Sequence, residues 1–153
     1  MIDASKIAED ALYFRKVPEY SHCIVHNVAA KDLLAYGCEA LPAIEDIVCR
    51  VVSPQLDEST DNNMLGLTSL LGAYLLIGVE YDNERMIRFV NSTSEKVREE
   101  FLAAIPAYFT RNLREGFPQK LLSPELKYFI ETSILSSNKH ISRLAVRASE
   151  FLF

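Results

Sequence analysis

The sequence predicts an all-α protein made of stacked antiparallel helical hairpins, and three observations lead there. Alternation of period two is scarce, and the β-branched residues do not gather into runs bounded by turns, so strands have no signal. Apolar residues at helical spacing recur along most of the chain, interrupted by short polar or proline-bearing breaks; about eight or nine helices result. Finally, the rhythm of "VREEFLAAIP", residues 97–106, returns twice elsewhere in different letters. The length suits a single domain over residues 1–153, and no Gly/Ser-rich or Pro-rich run divides it.

A first helix, about residues 3–15, places Ile7, Ala11 and Phe14 on one stripe, and Pro18 suits the first turn of a second helix, where its missing N–H costs nothing. A third runs from about Lys31 to Leu41. Pro42 should kink or restart the chain there, so that "AIEDIVCRVV" continues as a separate element. "SPQLDESTDNN" reads as a loop, and "MLGLTSLLGAYLLIGV", residues 64–79, as a buried central helix. That run falls short of the roughly 18–20 apolar residues needed to cross a bilayer. A short helix follows over about 83–91. Ser92 and Glu95 then have the spacing of a capping box for a helix that meets Pro106 and bends. Ser123 as cap and Pro124 at the first helical position open the next helix; the last pair, about 124–136 and 140–153, is separated only by "SSNK".

The echo is read by matching Ile105 to Leu41 and Val97 to Ile141. Val97, Leu102, Ala104 and Ile105 then correspond to Leu33, Cys38, Ala40 and Leu41, and to Ile141, Val146, Ala148 and Ser149. These positions should face inward. Each segment is preceded by the end of an apolar helix and a short polar turn, in "IVHNVAAKD", "RFVNSTSEK" and "SILSSNKHI". Such a hairpin cannot bury its apolar face alone and completes its core by stacking on a neighbour. Ala40, Ala104 and Ala148 are small enough to let the paired helices approach closely. A further pair, about 43–53 with 62–79, fits between the first two segments, and 107–120 reads as an insertion.

"RFVNSTSEKVREEFLAAIPAYF" and "FIETSILSSNKHISRLAVRASEFLF" resemble the HEAT-repeat family. The resemblance lies in the apolar run, the polar turn, the Val or Ile opening the second helix, Arg98 or Arg143 near it, and the alanine pair. It covers about half of the chain and implies a right-handed α-solenoid. Pro42 and Pro106 stand where the family often has a small residue, and residues 64–79 lack its charged positions.

The net charge of −5 argues against a protein whose task is neutralising phosphates. The charge is uneven: residues 1–61 are net −6 and residues 62–153 net +1. Three cysteines, and an N-terminal "MIDASKIAED" without the basic and apolar regions of a signal peptide, lead to an expected cytoplasmic location with free thiols. Cys23, Cys38 and Cys49 sit among apolar neighbours and are expected to be buried packing residues. In "HCIVH", His22 and His26 stand four apart beside Cys23, acceptable for two metal ligands but short of a complete site, so no metal is assigned. No phosphate loop, nucleophile elbow or HExxH helix appears, and neither a catalytic residue nor a cofactor is assigned.

The expected function is a non-enzymatic module binding a protein or peptide on one helical face. The outward positions of the three segments are Asp32, Ala35 and Glu39; Lys96, Glu99 and Ala103; and His140, Arg143 and Arg147, grading from acidic to basic. A merely solvated face is the competing reading. Two other classes stay open: a HEAT-like DNA-modifying or repair enzyme, which the acidic first half disfavours, and a small acidic immunity or inhibitor protein. Nucleic acid and membrane are not expected partners. Since a terminal repeat normally needs a polar outer face, the apolar end "ASEFLF" is expected either to fold back on the last hairpin or to meet another subunit, giving a homo-oligomer through the C-terminal helix.

Overall fold

A computed structural model describes residues 3–13, 28–51, 66–115 and 123–152. The described residues contain helices and short turns and no strand: α1 (Ala4–Tyr13), α2 (Val28–Leu33), a 3-10 segment (Leu34–Glu39), α3 (Ala40–Val51), α4 (Leu67–Tyr81), α5 (Asn83–Ser92), α6 (Glu95–Glu115), α7 (Pro124–Ile134) and α8 (Lys139–Leu152). Seven of these α-helices have ten residues or more, slightly fewer than the sequence predicts. Pro18, His22, Cys23 and His26 lie outside the described residues.

The apolar run of residues 64–79 forms the centre, as its composition predicts. Every residue from Leu67 to Leu75 is buried, because α1, α2, the 3-10 segment, α3, α5 and α6 all pack on α4. The Gly66 N–H donates to the Leu12 carbonyl at 2.9 Å, tying the start of α4 to the end of α1. Beyond α4, α5 packs on α7 and α6 on α8, while α7 and α8 pack on each other; on the other side α1 meets α3, and α2 and the 3-10 segment meet α4. In the last two pairs, first helix therefore contacts first helix and second contacts second. Phe101 of α6 and Phe129 of α7 meet edge to face, ring centroids 5.6 Å apart. No helix among the described residues is long and apolar enough to cross a membrane.

The helix predicted over 31–41 does not form as one piece. Its break is at Gly37, whose φ of 58° and ψ of −139° belong to a region that essentially only glycine occupies. Pro42 neither kinks nor restarts anything: it is the third residue of α3, where an amide N–H has no intrahelical partner to lose. Pro106, by contrast, lies inside the continuous helix α6. The "LP" of 41–42 and the "IP" of 105–106 are thus a helix start and a helix middle, and the first arm of the echo is not structurally equivalent to the second.

The inward positions hold at Leu33, Ala40, Leu41, Val97, Leu102, Ala104, Ile105, Ile141 and Ala148, all buried. They fail at Cys38 and Val146, which are exposed. Cys38 follows the reversal at Gly37, so helical periodicity no longer predicts its direction. Cys49 is exposed as well, because it shares the outer stripe of α3 with Pro42 and Asp46 at i, i+4, i+7 spacing.

Capping follows the sequence at one helix and departs from it at another. Ser123 accepts from the Leu126 N–H at 3.1 Å, with Pro124 opening α7 as predicted. Ser92 instead ends α5 and donates its hydroxyl to the Phe89 carbonyl at 2.9 Å, so the Ser92–Glu95 capping box is absent. The α7–α8 turn is held by Asn138: its Oδ1 accepts from the N–H groups of His140 (3.0 Å) and Ile141 (3.2 Å), and its Nδ2 donates to Glu95 of α6 at 2.7 Å.

Candidate protein-interaction site

The row drawn from the sequence is brought together only in part. His140, Arg143 and Arg147 lie at i, i+3, i+7 on one exposed face of α8, joined there by Lys139 and by Val146, which is 39% exposed. Lys96 and Glu99 of α6 are half-buried. Lys96 is further committed to an ion pair with Glu100 at 3.3 Å, and Glu100 in turn accepts a hydrogen bond from the Thr68 hydroxyl of α4. Asp32 and Glu39 are exposed but stand on α2 and at the end of the 3-10 segment, on opposite sides of the Gly37 reversal. The continuous helical row predicted for Asp32, Ala35 and Glu39 is therefore not formed.

What distinguishes the α8 face is the state of its charges. Of the other arginines with described side chains, Arg50 pairs with Asp46 at 3.0 Å, Arg85 with Glu45 at 2.7 Å and Arg88 with Glu84 at 3.8 Å. Arg98 donates to the Thr93 carbonyl at 3.0 Å, closing the turn after α5. Arg143 and Arg147 have no such partner among the described residues. They are four residues apart, where like charges repel along a helix. Lys139 adds a cation, and His140 an imidazole, in the first turn of α8, which holds no acidic residue and where the helix dipole is already positive. The arrangement is a short run of basic side chains on one exposed helix face. Among the described residues no group of three or more His, Cys, Asp or Glu is placed to hold a metal ion.

Sequence reasoning missed two features. The first is the pair of large exposed apolar side chains Tyr128 (69%), on the outer side of α7, and Leu135 (83%), just past its end; helical spacing from the buried Leu126, Phe129 and Ile130 would have found Tyr128. The second is a polar cluster joining α3, α4 and α5. Arg85 forks onto Glu45, Nε to Oε2 at 2.9 Å and Nη2 to Oε1 at 2.7 Å, while the fully buried Tyr74 donates its hydroxyl to Glu45 Oε2 at 2.6 Å. Phe89 meets the Tyr74 ring edge to face at 5.5 Å. Forty residues separate Glu45 from Arg85, so no spacing rule pairs them. With every strong partner satisfied internally, the cluster is a structural clasp.

That clasp carries a pH signature. Burial, then the hydrogen bond to the Glu45 carboxylate and its charge, raise the Tyr74 phenol above its ordinary value. Above about pH 10 the unfolded chain releases this proton while the folded chain retains it, so the folded state binds more protons and stability falls as pH rises. The expected slope from this residue is as much as about 1.4 kcal/mol per pH unit. Urea titrations of the wild type and Tyr74→Phe across that range should converge as pH rises; parallel curves would show that Tyr74 ionises freely in the folded state.

Comparison of the chain with protein-family models, with curated proteins and with solved structures yields no match to any of the three.

Proposed function

We propose that this chain is a non-enzymatic interaction module, a small right-handed α-solenoid of HEAT-like stacked hairpins that holds a protein or peptide partner on the outward face of α8. The observation that carries the reading is the exposed row of His140, Arg143 and Arg147, in which both arginines have no partner among the described residues, set against Arg50, Arg85, Arg88 and Arg98, which are each engaged internally. The layered contacts of α5 with α7 and of α6 with α8 support stacking in sequence order. Exposed surface charges of this kind contribute little to folding. Their removal should therefore separate binding from stability.

In the corresponding experiment the full chain is immobilised as bait. Exchanging Arg143 and Arg147 for Glu should release the captured partner and shift the melting temperature by no more than a degree or two, since surface substitutions stay within about 0.5 kcal/mol. A partner retained equally by both chains would remove the α8 face from consideration.

A further inference from the structure

Resting on that reading, we infer that the α8 face recognises an acidic segment of a partner protein, with carboxylates spaced about one helical turn apart. Arg143 and Arg147 are exposed, one turn apart and unpartnered among the described residues; Lys139 and His140 extend the row by a turn toward the helix N-terminus. The sole acidic side chain of α8, Glu150, stands at the opposite end. Successive cations along such a row lie roughly 5–6 Å apart. A helix with acids at i, i+4, i+7, or an extended strand with acids at alternate positions, presents carboxylates at nearly the same interval. The guanidinium groups suit carboxylates through paired N–H donors.

The chemistry favours an acidic protein segment over other anions. A nucleic acid would meet a chain of net charge −5 that offers it a short basic row on α8, whereas phosphate backbones are held by broad basic surfaces. A lipid surface would need an apolar face opposite the cations; Val146 is the one large apolar side chain exposed among the described side chains of α8. That residue lies beside Arg143 and gives an acidic segment a place for one apolar contact.

The test uses the full chain and a fluorescein-labelled helical peptide with Glu at i, i+4, i+7 and a leucine between them, read by anisotropy. Binding should weaken at least about tenfold in Arg143→Glu/Arg147→Glu and fall by a similar factor when salt is raised from about 50 to 300 mM. Lys31→Glu, at an exposed site on α2, should change it less than about twofold. Absence of peptide binding, equal binding by the double variant, or tighter binding of a DNA duplex than of the peptide would each overturn the inference. So would salt-sensitive self-association of the chain abolished by the double variant, which would make a second copy the occupant. Should the captured partner depend on Arg143 and Arg147 while the peptide fails to bind or to displace it, the acidic-segment inference fails and the interaction module stands.

Discussion

Phe101→Ala should destabilise the protein by about 3–5 kcal/mol, the largest effect expected from any single truncation in the C-terminal half. Phe101 has no exposed surface and lies on α6, which is held between α4 and α8. With packed helices on both sides, the void left by the ring has little freedom to collapse, so the lost transfer free energy is joined by a cavity cost. The edge contact with Phe129 at 5.6 Å adds a coupling of about 0.5–1.5 kcal/mol, measurable by a double-mutant cycle with Phe129→Ala. Urea denaturation at unchanged m-value is the readout, and a thermal midpoint lower by on the order of 10 °C should accompany it. A loss below about 1 kcal/mol would mean that α6 and α7 do not share this packed junction.

Gly78→Ala should also destabilise, although helix propensity alone predicts a gain of about 0.5–1 kcal/mol for replacing a glycine inside a helix. The sign reverses because a Cβ at Gly78 would stand 2.5 Å from Met86 Sδ and 2.8 Å from Met86 Cβ. Met86 is itself fully buried on α5, so relief requires the two helices to separate. Overpacking of this kind costs about 1–3 kcal/mol. Pairing the change with Met86→Ala should not restore stability, since the sulfur leaves but the Cβ at 2.8 Å remains. Should Gly78→Ala instead raise the melting temperature, the close approach of α4 to α5 would be wrong.

Both substitutions sit where the sequence speaks with different force. Phe101 lies in the segment whose repeated rhythm points to a buried helix, and it is fully buried. Gly78 reads from the sequence as a mild defect in an apolar helix; its close approach depends on Met86, which belongs to another helix. The same contrast separates Arg98 from Arg143. Each follows the apolar residue that opens a second helix by one or two positions, yet one closes a turn and the other is exposed with no partner among the described residues.

The all-helical character, the buried central helix, the cap at Ser123 and the tight turn before α8 were determined by the sequence alone, because each depends on residues within a few positions of one another. Tertiary structure decided the break at Gly37 in place of Pro42, the exposure of Cys38, Cys49 and Val146, the Glu45–Tyr74–Arg85 clasp, and the scattering of the predicted outward row, of which His140, Arg143 and Arg147 share one exposed helix face. The reason is range: periodicity and capping are local. Whether a charge is neutralised or a side chain covered depends on what a distant helix places opposite it, across separations such as the forty residues from Glu45 to Arg85.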